Sequence, residues 1–229
     1  MRLAVFFILL LICCIPDSLC AQERIPRAVG GFHSVAVSSG IDLYLKQSDI
    51  FAVEIEGVRP SLFHVRTEIQ DSILVISALL PAHWPLKFPP KVYLQCKTLR
   101  EVGASGGSDV YGVNELVISK LKVHAHSGSD IFLSVKSEHL VLTALNGGSI
   151  KVGGESLSVV VTAEGGSEVN AIGLIALDGL VTASGGSEVL INVSRSLSAD
   201  ASGKSHIGYR GTPVEQFFNT FGGSAIYPK

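Results

Sequence analysis

Four carboxylates recur at one place in a repeated word. Asp109, Asp130, Glu168 and Glu188 each follow the serine of a Gly/Ser-rich corner such as Ser105-Gly106-Gly107-Ser108 or Glu164-Gly165-Gly166-Ser167. If the words stack on successive strands, neighbouring acids stand roughly 5 Å apart. That is also the separation of the two carboxyl groups in a retaining glycosidase. Any ladder of acids gives the same spacing, and like charges on adjacent strands repel. The plain reading is a solvated stripe. The alternatives left open are a loose contact with a cation or glycan, and a carbohydrate-active pair formed by Asp109 and Asp130. Enzymes of that kind wall their clefts with long loops, which the short segments between the words cannot supply, so no catalytic residue is assigned. His124 and His126 share one strand face, with His139 and the Asp pair as further donors, and imidazole plus carboxylate suits a transition metal. Histidine placement is otherwise irregular, which favours exposed side chains, so no metal and no cofactor is assigned. Trp84, in the run 81–90 that also holds Pro81, Pro85, Pro89 and Pro90, adds a candidate binding aromatic.

The elements that must position these residues form a repeat. The last serine of each word falls at 108, 129, 149, 167, 187, 205 and 224, so the period is 18–21 residues. Between the words lie Val/Leu/Thr-rich alternating runs, among them 121–125, 140–144, 157–163 and 180–183, which are strand signals. The period is too short for a propeller blade of about 40 residues and too long for nonapeptide calcium repeats. It suits one coil of a β-solenoid with two or three short strands stacked in parallel. Glycine at each corner supplies φ > 0 without a Cβ clash, and the serines can bond each other or the turn backbone. No helix follows the words, which excludes a phosphate-cradling loop. Twenty of the 24 glycines lie after residue 100 and seven of the 9 prolines before residue 91, so the coils become regular along the chain.

Residues 32–37, 41–45, 52–56, 64–69 and 73–76 alternate as half-exposed strands do, and Ser38-Ser39-Gly40 is a degenerate corner word. Trp84 and Phe88 are expected to cover an end or side. Arg2, the apolar run Leu3–Ile12 and the small residues before Ala21 have the layout of a secretory signal peptide over residues 1–20. The rival readings are lipidation at Cys14 or Cys20, and a retained anchor. Removal of the leader takes Cys13, Cys14 and Cys20 and leaves Cys96 in an alternating strand, without a disulfide partner. A net charge of −2 and a pI near 6.4 exclude a strongly basic nucleic-acid binder. The C-terminal Phe217, Phe218, Phe221 and Tyr227 are read as an aromatic cap or as a contact between copies at the solenoid end, where open edges pair.

The stretch Phe32–Gln47, the strand Lys91–Cys96 and Leu99–Val110 with its Ser-Gly-Gly-Ser-Asp core resemble the putative auto-transporter adhesin family with a head GIN domain, a bacterial family common among Bacteroidetes. The chain departs from that pattern at Ser39, where glycine is usual, and in the insertion at 81–90. The resemblance implies a parallel β-helix and an exported protein, and it implies no catalytic residues. The expectation is an all-β fold, a right-handed parallel β-helix forming one domain over 28–229. Its coils would be irregular over 28–98 and regular over 99–229. The expected function is non-enzymatic and adhesin-like. A rigid face with Asp109, Asp130, Glu168, Glu188 and Trp84 would meet a glycan or protein in the periplasm, at the outer membrane or on the cell surface of a Gram-negative bacterium. No nucleic acid and no membrane span in the mature chain are expected. The alternatives are the carbohydrate-active enzyme and a purely structural envelope component.

Overall fold

The computed structural model describes residues 22–79 and 89–229, so the segment expected to be a signal peptide, and Trp84 and Phe88 with their expected covering role, lie outside the described residues. The N-terminal third contains β1 (Gln22–Arg27), β2 (Ser34–Val37), β3 (Asp42–Gln47), β4 (Ala52–Val58), a helical turn α1 (Arg59–Leu62), β5 (Val65–Gln70), β6 (Ile73–Ala78) and β7 (Lys91–Cys96). The regular part follows as β8 (Glu101–Ser105), β9 (Asp109–Gly112), β10 (Leu116–Val117), β11 (Lys120–His126), β12 (Asp130–Leu145), β13 (Ser149–Glu164), β14 (Glu168–Ser184) and β15 (Glu188–Ala201). It ends in β16 (His206–Arg210), β17 (Glu215–Thr220) and β18 (Ala225–Pro228). From β8 onward every pairing is parallel and joins one coil to the next. This is the expected parallel β-solenoid.

Side-chain alternation turns these registers into columns along the solenoid axis. Val110, Ile131, Ile150, Val169, Val189 and Ile207 are successive partners and all are buried. Across the core, Val102, Val123, Leu142, Val161, Val181 and Ala199 form a second column. A third is all alanine: Ala104, Ala125, Ala144, Ala163, Ala183 and Ala201. The alanines sit just before the corner in the regular coils, and the same column continues into the N-terminal coils as Val37 and Ile76. Each corner is turned by two consecutive left-handed residues, as at Gly185 (φ 66°) and Gly186 (φ 77°). A Cβ at Gly185 would lie 3.1 Å from the Gly165 amide nitrogen of the coil below, so stacking as well as φ demands glycine there.

The corner serines point inward and bond turn backbone. Ser187 Oγ accepts the Ser167 amide (3.2 Å) and donates to the Ser184 carbonyl (2.8 Å), and Ser205 Oγ accepts the Ser187 amide (3.2 Å). One copy departs from the expected alignment. Ser149 pairs with Asp130 and Glu168, so Gly148 occupies the buried corner position and Ser149 stands in the column of the acids. The left-handed pair of this corner is Asn146 and Gly147, one place earlier in the word, and at Gly148 a Cβ would lie 2.4 Å from the Ala125 carbonyl oxygen.

The N-terminal coils differ from a simple stack in two ways. The coil made by β2 and β3 lies between two others: β2 pairs with β6 and β8, and β3 pairs with β7 and β9. Beyond it, pairing turns antiparallel, with β4 on β7, β1 on β4 and β5 on β6. Glu23, Arg24, Pro26 and Arg27 on β1, and Arg66 and Glu68 on β5, charge or interrupt these strands as protected edges require. At the opposite end, all of β17 is exposed. Only Phe218 turns toward the core, against Tyr209 (5.3 Å between centroids), whereas Phe217 and Phe221 remain outside.

Candidate functional site

The acids form one column on the first stretch after each corner. Its order is Lys91, Asp42, Asp109, Asp130, Ser149, Glu168, Glu188 and His206. Asp109 and Asp130 are therefore direct partners on adjacent strands, and so are Glu168 and Glu188. Asp42 extends the run to three consecutive aspartates, and Ser149 separates them from the glutamates. Asp109 Oδ1 accepts the Asp130 amide (3.2 Å), and Oδ2 accepts the Tyr111 hydroxyl (3.1 Å). Burial, then the Asp109 charge, holds the Asp42 and Asp130 carboxyls above the ordinary carboxylate range, with the Ser149 hydroxyl opposing the rise at Asp130. Burial, followed by the Asp109 carboxylate, pushes the Tyr111 phenol up to about 12.

Two residues further along each strand runs a second column: Tyr93, Tyr44, Tyr111, Phe132, Lys151 and Asn170. Its four rings stack, with centroid separations of 5.0, 5.3 and 5.4 Å and interplanar angles of 17°, 24° and 2°. Such offset stacking follows from strand spacing and stabilises each pair. At one end the Arg24 guanidinium covers Tyr93, 4.0 Å from the ring centroid, and is itself held by Glu56 (2.5 Å). At the other end the stack stops at Phe132. Beyond it Phe132, Lys151 and Asn170 line a shallow trough of about 500 Å³ with Gly112, Gly153 and Gly173.

Sequence reasoning singled out the acids and missed the rings. The signal was present as an aromatic two residues after the column position in Asp42-Leu43-Tyr44, Asp109-Val110-Tyr111, Asp130-Ile131-Phe132 and Lys91-Val92-Tyr93. The histidines do not converge: His124 faces Glu101 (3.4 Å), His126 meets Ser127 (3.0 Å), and His139 meets Ser158 (2.7 Å). Among the described residues no cluster of three His, Cys, Asp or Glu side chains could hold a metal. Cys96 is buried, and burial raises its thiol to about 11. A separate apolar groove of about 560 Å³ includes Val117, Leu157, Ile175 and Leu177, with Lys136 and Glu155 paired at its rim (3.4 Å). No helix among the described residues is long and apolar enough to cross a membrane.

The model of the family described as "Putative auto-transporter adhesin, head GIN domain" matches residues 31–213. A search among curated proteins finds no match. Three crystal structures share the fold. A putative adhesin from Bacteroides fragilis NCTC 9343 is 18% identical with a TM-score of 0.85, over 91% of this chain and 97% of that one. A putative adhesin from Parabacteroides distasonis ATCC 8503 is 17% identical with a TM-score of 0.74, over 91% and 97%. A putative lipid binding protein from the same strain is 15% identical with a TM-score of 0.71, over 91% and 96%.

Proposed function

Since this chain belongs to the putative auto-transporter adhesin family with a head GIN domain, we propose that it is an exported, non-enzymatic, adhesin-like protein of the cell envelope. On this reading it meets a glycan or protein partner with the face formed by β3, β9, β12, β13 and β14. The observation that carries this is the pair of parallel columns, acids beside stacked rings. They form a rigid, repeated surface that needs no induced ordering and so loses little entropy on binding. Asp109 and Asp130 stand side by side on one flat face, and Asp109 already bonds with both oxygens, which suits contact better than acid–base chemistry. Binding to arrayed glycans and envelope proteins, compared between the intact protein and the Asp109→Asn/Asp130→Asn double variant, tests the reading. A partner bound equally by both would remove this face from the function, and glycan turnover lost in the variant would make the protein an enzyme.

A second reading is favoured by the groove at Val117, Leu157, Ile175 and Leu177, whose exposed aliphatic side chains suit an acyl chain. The fold neighbour described as a lipid binding protein supports it. Displacement of a fluorescent fatty acid, abolished by Ile175→Lys, is the expected result. Copies are also proposed to associate through the C-terminal end, where Phe217 and Phe221 stand exposed. Sedimentation of the Phe217→Ser/Phe221→Ser variant, expected to shift toward the monomer, measures this.

A further inference from the structure

We infer that the trough at the end of the aromatic stack is a subsite for one pyranose ring of an uncharged oligosaccharide, with Phe132 as its platform. This rests on the adhesive-face reading and specifies its ligand. In the stack, Tyr44 lies between Tyr93 and Tyr111, and Tyr111 lies between Tyr44 and Phe132, so both faces of each ring are covered. Tyr93 has Tyr44 on one face and Arg24 on the other. Phe132 has a ring on one side only. Its other neighbour in the column is the flexible Lys151, and it is 36% exposed, whereas the three tyrosines are half-buried. One aromatic face is thus left to the trough.

The lining decides what can occupy that face. Lys151 makes no ion pair among the described residues, and Asn170 Oδ1 is held by the Ile172 amide (3.4 Å), which leaves its NH₂ group to donate. Asp130, two residues before Phe132 on β12, stands outside the trough, whose only charged lining residue is Lys151. Gly153 and Gly173 are partners on adjacent strands and leave the floor flat, without side chains. An acyl chain on this floor would desolvate Lys151 and Asn170 without partners. A peptide strand finds no free edge, because β13 lies between β12 and β14 and is paired with both on either side of the register shift at Lys151/Gly153. A polyanion meets Asp109, Asp130, Glu168 and Glu188 against the one lysine, and like charge disfavours it. A polyhydroxylated ring satisfies the set: its C–H face lies on Phe132, and its oxygens accept from Lys151 and Asn170.

The experiment uses the leaderless full-length protein on an array of uncharged, uronic-acid and sulfated oligosaccharides, followed by calorimetry with the best uncharged ligand. Phe132→Ala is expected to weaken binding about tenfold and Phe132→Tyr to keep it. Lys151→Met should weaken it at least about tenfold through one lost charge-assisted hydrogen bond. Phe63→Ala, which removes an exposed ring belonging to neither column, should leave affinity within about twofold. Circular dichroism melts of each variant separate folding loss from binding loss. Uncharged glycans held equally by Phe132→Ala, or capture of charged glycans alone, overturn the subsite. In that case the adhesive-face reading stands if Asp109→Asn/Asp130→Asn still abolishes capture. An array that captures nothing overturns the subsite as well, and the adhesive face is then judged by its protein partners.

Discussion

Replacing Ser187 with alanine removes one hydroxyl from the inside of a corner and nothing else. The Ser167 amide donates to that hydroxyl at 3.2 Å, and the hydroxyl donates to the Ser184 carbonyl at 2.8 Å. The two losses are unequal. The Ser184 carbonyl keeps a second donor, the Gly165 amide at 3.2 Å, whereas the Ser167 amide is left without an acceptor in a fully buried position. One buried unsatisfied amide costs about 1–3 kcal/mol, which is roughly 5- to 150-fold in an opening equilibrium. In a solenoid each coil touches only its neighbours, so the cost should remain local. Hydrogen exchange read by mass spectrometry is the assay. The peptide carrying the Ser167 amide should exchange at least about fivefold faster in Ser187→Ala, while peptides from β8, β9 and β11 keep their protection. Unchanged exchange at Ser167 would refute the claim that the serine hydroxyls, rather than the glycines alone, hold the corner.

Three further outcomes follow from the same geometry. Gly154→Ala, at φ +111° with a Cβ 2.0 Å from the Val135 carbonyl oxygen, should cost more than about 2 kcal/mol in urea unfolding, whereas Gly31→Ala, with nothing within 4 Å, should be neutral. Asp42 and Asp130 bind protons more readily folded than unfolded, so their contribution to stability falls as pH rises through the raised carboxylate range and recovers as pH drops through it. Asp109→Asn removes two like-charge pairs and should raise stability at pH 7 by about 0.2–1 kcal/mol per pair, a gain that thermal melts should show closing at acid pH. Cys96, buried with its thiol raised to about 11, should react with maleimide at pH 8 only after unfolding, and rapid labelling at Cys96 itself in the native protein, read by peptide mapping, would contradict its place in the core.

The regular coils were legible because a corner is a local event. Two left-handed residues and an inward serine need specific types, and Ser105–Ser108 or Glu164–Ser167 state them directly. The acid column followed from counting residues between corners. Ser149 defeated that count because the left-handed pair of its corner is Asn146 and Gly147, one place earlier in the word, so that Gly148 rather than Ser149 takes the inward position. The direction of β4 and β5 was not legible, since alternation is the same in parallel and antiparallel strands. The ring column was not legible: Tyr44, Tyr111 and Phe132 each follow an aspartate by two, yet they become one object only when strands distant in sequence are laid side by side. The role given to Trp84 lies outside the described residues.

The coil of β2 and β3 has its partners on both sides later in the chain, up to β8 and β9. A nearest-neighbour array can zip from any point, but this end cannot zip from its own first residue. A chain emerging N-terminus first holds β2 unpaired until β6 has appeared and β3 until β7 has appeared, and the second edge of this coil stays open until about residue 112, with the loop-closure entropy that such separations carry. The coils from β11 to β15 have no such wait, since each finds its template in the coil before or after it. Folding should therefore nucleate in the middle of the molecule and reach the N-terminal end last, so that the first residues made are the last to become resistant to proteases.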